Sequence, residues 1–213
     1  MHRYRHWKLR SPLTIAAILL FSASIQDSRG QTAQPDAASA APQPRQTIHF
    51  DPAKSKVSWS VHGTTHTVNG VFQLKGGLIT FNPATGVADG EMLVDVSSAD
   101  SGNSTRDGKM KSQVLEAQKY PTVFFHPTMI SGTLKPGSSR QATVDGTLNI
   151  HGVDHPLTAS VAIDTQGTNV IVKTKFEIPY VAWGMRDPSY FIFRFSKQVE
   201  VEVTAQGTVE AAP

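Results

Sequence analysis

The stretch "VDGTLNIHGVDHPLTASVAID", residues 144–164, decides the fold. Val144, Leu148 and Ile150 alternate with Asp145, Thr147 and Asn149, and Leu157, Val161 and Ile163 alternate with Thr158, Ser160 and Ala162. Successive side chains of an extended chain point to opposite faces, so each half reads as a strand with one apolar and one wet face. "HGVDHP" between them, residues 151–156, holds a glycine and a proline and reads as the turn. Two such strands joined by a turn are an antiparallel pair.

The same period of two extends outward. It places Val57, Trp59 and Val61 on one face of "KVSWSVH", and Met92, Val94 and Val96 on one face of "EMLVDVS". It likewise groups Val170, Val172, Phe176 and Ile178, and then Val199, Val201 and Val203. Turn signals recur at "NPATG" (82–86), "KPGS" (135–138) and "TQGTN" (165–169). Regular half-buried strands with such punctuation predict an all-β antiparallel sandwich or barrel. Asn69-Gly70 has hairpin-turn composition, or marks a bulge or bend within one longer strand, as does Gly76-Gly77. One segment breaks the period. In "NSTRDGKMKSQVLEAQKYP" Ser104 precedes Asp107 by three, and Met110, Val114 and Ala117 fall at helical spacing before Pro121. This predicts one or two short helical turns within 105–118, starting at Ser104.

Of the 213 residues, the first 30 have the layout of a secretory leader. Arg3, Arg5, Lys8 and Arg10 precede the apolar "SPLTIAAILLFSAS". The apolar run is short of the roughly 20 residues of a membrane span, so no stable span is expected after cleavage. Residues 31–45, rich in Ala, Gln and Pro, read as a disordered linker. The folded domain is then 46–210, in a periplasmic or secreted protein. The net charge of +3 arises before residue 45, where five basic residues face two acidic ones; residues 45–213 hold 15 of each. A neutral domain lacks the clustered basic face that nucleic-acid binding requires. With no cysteine, thiol catalysis, thiolate metal sites and disulfides are excluded.

Three constellations are candidates for chemistry. His62 with His66, and His151 with His155, share the pattern His-Gly-x-x-His. The pattern fits four polar or turn histidines, a metal site, or a role near a ligand head; neither pair has the Glu of a hydrolytic His-Glu-x-x-His helix. His66 and His155 fall in loop-like sequence. The cluster Arg106, Asp107, Lys109 and Lys111 fits a solvated helix or a polar collar at a pocket mouth, where Arg106 meets a phosphate or carboxylate. "YVAWGMRDPSYFIFRF", residues 180–195, reads as a loop covering the core or as a flap over an apolar cavity. No catalytic triad context and no Gly-rich phosphate loop is present, so neither enzymatic activity nor a cofactor is expected.

Over residues 46–208 the chain resembles the YceI-like family of exported lipid-binding proteins. The likeness rests on "VSWSVHGTTHTVNGVFQLKGGLITFNP", "SADSGNSTRDGKMKSQVLEAQKYPTVFF" and "VDGTLNIHGVDHPLTASV", in that order and spacing. The resemblance implies an eight-stranded antiparallel, lipocalin-like barrel with one short helical segment near one end. It implies an apolar interior holding an isoprenoid or other long-chain amphiphile, and it puts Asn69-Gly70 inside a long bent strand. The chain departs from the family at His155, where Lys or Arg is common, and in its aromatic-rich "WGMRDPSYFIFR". Combined with the period of two, the expected lipid-lining residues are Trp59, Val61, Phe72, Leu74, Met92, Val94, Met110, Phe124, Leu148, Ile150, Val161, Phe176 and Trp183. Arg106, Asp107, His62 and His151 are the head-group candidates. The expected partner is the lipid, with a homodimer allowed. The competing readings are a histidine-based metal-binding protein and a stress-response interaction module without a small ligand.

Overall fold

Strands with one apolar face must bury it, and a sheet curled onto itself buries every such face at once without leaving an edge. The computed structural model describes residues 45–132 and 140–211. Residues 1–44, holding the expected leader and all but the last residue of the expected linker, lie outside the described residues, as does the "KPGS" turn.

The strands are β1 (Gln46–Phe50), β2 (Lys56–His62), β3 (Thr67–Phe81), β4 (Ala88–Asp100), β5 (Thr122–Gly132), β6 (Arg140–Ile150), β7 (Val153–Gln166), β8 (Asn169–Ile178) and β9 (Val199–Ala211). Every neighbouring pair is antiparallel. β1 and β2 both lie between β3 and β9, and a single 3-10 turn at Pro52–Lys54 separates them. They are two halves of one stave. The nine strands therefore make eight staves in chain order, and β9 closes on β1 and β2 to complete an eight-stranded antiparallel barrel.

The hairpin of the opening stretch is tighter than its composition implies. Ile150 pairs with Val153, so the turn is His151-Gly152 alone. Both residues have positive φ, 55° and 76°, the conformation of the two-residue turn whose twist matches that of the flanking strands. His155 thus sits in β7 opposite Leu148, not in a loop. Asn69-Gly70 is no hairpin either: Ser60 pairs with Asn69 and Trp59 with Gly70 in the middle of a ladder. A Cβ on Gly70 would stand 2.4 Å from the Trp59 indole and 2.7 Å from the Asp100 carbonyl oxygen, so the glycine makes room for the ring. Further along β3, register shifts against β4 between Val71 and Gln73 and between Leu74 and Gly76 bend the strand. Inward-facing positions change there from Phe72 and Leu74 to Ile79. The helical segment begins one residue earlier than expected: Asn103 is the cap, accepting from the Arg106 N–H at 3.0 Å, before helix α1 (Ser104–Lys109) and a π-turn at Met110–Val114.

The two ends of the barrel differ. One end carries the long connections, 101–121 with α1 and 179–198, together with the 63–66 loop and the 151–152 turn. At the opposite end Ile48, Phe50, Leu74, Ile79, Phe81, Ala88, Val170 and Ala205 pack into one cluster and form a floor. The close fit of Gly70 to Trp59 makes a coupled prediction. Gly70→Ala lowers stability by about 1–3 kcal/mol through overpacking. In a Trp59→Ala background the added cost falls by more than about 1 kcal/mol, measured by urea unfolding as a double-mutant cycle; equal costs in both backgrounds refute the coupling.

Candidate functional site

The eight staves enclose a cavity of about 960 Å³. This is at the upper end of the ~300–1,000 Å³ range of small-molecule sites. Its walls are aliphatic and aromatic along the barrel. Trp59, Val61, Phe72, Leu74, Met92, Val94, Met110, Leu148, Ile150, Val161 and Phe176, all singled out by periodicity and resemblance, line it. Phe124 and Trp183 do not. On β5 the inward positions are Val123, Phe125 and Pro127, so Phe124 points outward, where it stacks on His126 with ring centroids 6.2 Å apart. Trp183 stacks on His155 at 3.9 Å, packed against the core but off the cavity wall.

Polar groups gather at the end with the long connections. From α1 and the residues beside it come Asn103, Thr105, Arg106, Lys109 and Gln113, and from the 179–198 connection come Arg186, Asp187 and Ser189. Arg106 reaches the cavity while clasping Ser101: its Nε donates to Ser101 Oγ at 2.7 Å and its Nη2 to the Ser101 carbonyl at 2.8 Å. Asp107, expected as a head-group residue, is buried and does not line the cavity. Burial acts to raise its carboxyl, but the Ser101 hydroxyl and N–H, with Arg106 and Lys111, outweigh it and hold the group below the usual carboxylate range. Asp107 therefore anchors the start of α1 to the end of β4, and Arg106 is the member of the pair that faces the cavity.

The 179–198 connection folds over the mouth in two parts. Tyr180 and Met185 are buried against Val57, Leu148 and Ile178. The Tyr180 hydroxyl donates to the Ser196 carbonyl at 2.9 Å, and burial, with the nearby Asp187, pushes its pKa up to about 12. Asp187 pairs with Lys197 and accepts from the Ser189 N–H at 2.9 Å; Lys197 first, then Ser189, hold its carboxyl at about 2 against the opposing effect of burial. The foot of the connection is fixed to the loop between β2 and β3. Gly63 bridges Phe195, the Thr64 N–H donates to the Arg194 carbonyl at 2.9 Å, and the Ser196 N–H donates to the His62 carbonyl at 2.8 Å.

The four histidines have separate surroundings. His62 is exposed and shares a hydrogen bond with Thr67 Oγ1 at 2.9 Å, and His66 does so with Thr65 Oγ1 at 2.9 Å. His151 lies with Nε2 2.6 Å from a Glu116 carboxylate oxygen, off the direction of an aligned hydrogen bond, and packs on Tyr120. His155 stacks on Trp183. Among the described residues no three His, Asp or Glu side chains gather as a metal site needs. Neither His62 nor His151, both expected at the head group, lines the cavity. The first belongs to the outward face of β2, and the second is turned by the left-handed backbone of its hairpin toward Glu116 and Tyr120. Lys109, Arg186 and Tyr190 line the mouth; none is among the named lining or head-group residues, although Lys109 lies in the cluster that reads as a solvated helix or a polar collar, and Arg186 and Tyr190 in the stretch that reads as a covering loop or a flap. They come from segments with no strand period to place them. Phe125 was missed although Val123 and Pro127 share its parity.

A lowered carboxyl pKa stabilises the folded state above the ordinary carboxylate range and ceases to do so as pH falls through the folded value. The closure of the 179–198 connection should therefore loosen between about pH 4 and pH 2, read as pepsin cleavage within it. Asp187→Asn should remove that step and leave the connection already more cleavable at pH 4; an unchanged step in the variant places its origin elsewhere.

A YceI-like domain model matches residues 49–207. No curated protein matches the chain. Solved structures similar to it include the following two. BcnA of Burkholderia cenocepacia is 21% identical with a TM-score of 0.61, over 75% of this chain and 99% of that one. A polyisoprenoid binding domain from Saccharophagus degradans, implicated in plant cell wall breakdown, is 15% identical with a TM-score of 0.58, over 76% of this chain and 98% of that one. At these identities the likeness to both is one of fold. The family model spans the barrel from β1 to β9, including α1 and both long connections, and the chain belongs to the YceI-like family.

Proposed function

We propose that the protein is an exported carrier or scavenger of a long-chain isoprenoid or similar amphiphile, with the tail in the barrel and the head at the mouth. The observation that carries this reading is the distribution of polarity in the cavity: hydrocarbon along the staves, charged and hydroxyl groups concentrated at one end. The Saccharophagus degradans domain of the same fold, described as polyisoprenoid binding, supports the ligand class. The leader-like N-terminus supports export.

The physics of such a site needs no reacting group. Each CH₂ moved from water to the apolar interior gains about 0.8 kcal/mol, so a chain of about 15 carbons gains roughly 12 kcal/mol before the costs of ordering and association are subtracted. The head must keep its hydrogen bonds or charge partners, and Arg106, Lys109 and Arg186 at the mouth supply donors for an anionic head such as a phosphate. The protein therefore binds and shields its ligand; no step of bond making is assigned to it.

Native mass spectrometry of protein purified from its own host, without detergent, should detect a stoichiometric lipid. Delipidated protein should take up a fluorescent isoprenoid; protein that neither carries a lipid nor takes up the probe overturns the reading. Ala159 is buried on β7 and lines the cavity, so Ala159→Phe should fill it. Probe affinity should fall at least tenfold, about 1.4 kcal/mol, while the thermal midpoint holds or rises. Replacing Lys109 and Arg186 together by Ala should weaken an isoprenyl phosphate roughly 3–10-fold at low salt, with little effect on the matching alcohol; an equal loss for both ligands refutes a head-group role.

A further inference from the structure

The tip of the 179–198 connection is built unlike any other part of the surface among the described residues. Tyr190, Phe191, Ile192 and Phe193 are consecutive and 70, 73, 74 and 54% exposed, whereas the other large exposed apolar residues among those described, Leu78, Val87 and Val153, stand singly. Scattered apolar residues on a surface are ordinary, but a contiguous projecting group of them marks an interaction site. The projection is held in place. Tyr190 and Phe193 exchange two backbone hydrogen bonds of 2.9 Å, making Phe191-Ile192 a tight two-residue turn, and Phe191 adopts a left-handed φ of 48° that a non-glycine residue rarely takes. Below the turn, Thr64 Oγ1 accepts from the Arg194 N–H at 3.0 Å, and Ser189 Oγ accepts from the Phe195 N–H at 3.0 Å. The fold thus presents three aromatic rings and an isoleucine to solvent on a braced hairpin.

The surroundings indicate what the tip meets. Tyr190 also lines the cavity, so the wedge stands at the lip of the apolar interior. Charge is polarised about it. Residues 180–198 hold Arg186, Arg194 and Lys197 against Asp187, and 101–111 hold Arg106, Lys109 and Lys111 against Asp107. These two segments close the same end and carry a net +2 each, while residues 45–213 as a whole are neutral, leaving −4 on the remainder. Such a distribution turns the mouth toward a negatively charged plane and the rest of the barrel away from it. Aromatic side chains projecting among basic residues are the composition of interfacial anchors. A second copy is a poorer fit: four partly exposed side chains offer on the order of 500 Å², below the roughly 800 Å² per partner of a stable interface.

We propose that the Tyr190–Phe193 tip is a membrane-docking wedge that seats the mouth of the barrel on an anionic lipid bilayer. The docking goes beyond lipid carriage and stands whatever fills the cavity. If a lipid fills it, the geometry lets a tail pass between bilayer and barrel with its apolar part shielded.

Vesicle flotation tests it, with phosphatidylcholine vesicles with and without phosphatidylglycerol. The wild-type domain should float with the anionic vesicles, less so with the neutral ones and less so at high salt. Phe191→Asp combined with Ile192→Asp changes two exposed residues that belong neither to the core nor to the cavity lining, and should cut vesicle binding at least tenfold. Its circular dichroism and its uptake of a fluorescent isoprenoid from solution should stay unchanged. That uptake measures the cavity separately, so a failure of docking and a failure of lipid binding are distinguishable. Wild-type protein that does not float, or a variant that floats equally well, overturns the proposal. So does a concentration-dependent dimer in light scattering that the double variant abolishes, since a second copy would then cover the tip.

Discussion

Pairing of the last strand with the first closes the structure, and everything else depends on that closure. β9 holds β1 from Gln46–Ala211 to Phe50–Gly207, then β2 from Lys56–Thr204 to Ser60–Glu200. Without it the sheet would have two open edges and an apolar face too curved for any other layer to cover. With it, Val57, Val201 and Val203 face the same interior as residues nearly the whole domain away in sequence. Gly207 permits the contact: a Cβ there would stand 2.3 Å from the His49 carbonyl oxygen. Such a seam costs loop-closure entropy before it returns any contact.

Closure in chain order also sorts the connections. Each strand reverses direction, so alternate connections share an end. At the floor end the described links, 82–87 and 167–168, are both short and lie over a packed cluster that includes Phe50 and Phe81. At the other end fall both long connections, which bring helix, charge and aromatic tip to one place. An asymmetric cavity, apolar below and polar above, follows from this arrangement of lengths more than from any single residue. The same asymmetry concentrates positive charge around the mouth of a domain whose total charge is zero.

Two matched His-Gly-x-x-His stretches show how identical letters acquire different structures. In the first, Gly63 donates its N–H to the His66 carbonyl at 3.0 Å and leans on the Phe195 ring, so the loop is a foot for the mouth connection. In the second, His151-Gly152 is itself the whole turn, with Tyr120 packed against Gly152 so closely that a Cβ would stand 2.4 Å from the ring. The first depends on a partner more than 120 residues away, the second on one about 30 away. No local pattern distinguishes them.

Much of the molecule was legible before folding was considered. Alternation along "VDGTLNI" and "LTASVAID" defines strands with one face to bury, and Trp59, Leu74, Leu148 and Val161 fall on the cavity wall because the period of two is a property of the extended chain itself. The same local chemistry establishes the absence of thiols and the neutrality of the domain. What needed the tertiary structure was every choice between neighbours. Phe124 and Phe125 are equally apolar; the parity of Val123 and Pro127 hints at the second, and the registry of β5 with β4 and β6 turns it inward. Asn69-Gly70 reads by composition as either a turn or a bend within a strand, and the Trp59 ring across the ladder explains the glycine inside β3. Asp107 and Arg106 are adjacent in one cluster and both bond to Ser101, yet the carboxylate is buried off the cavity wall and the guanidinium faces the mouth. Periodicity is written in bonds between consecutive residues and can be read from them; orientation, partner and exposure are set by residues far off in the chain, which only closure of the barrel brings near.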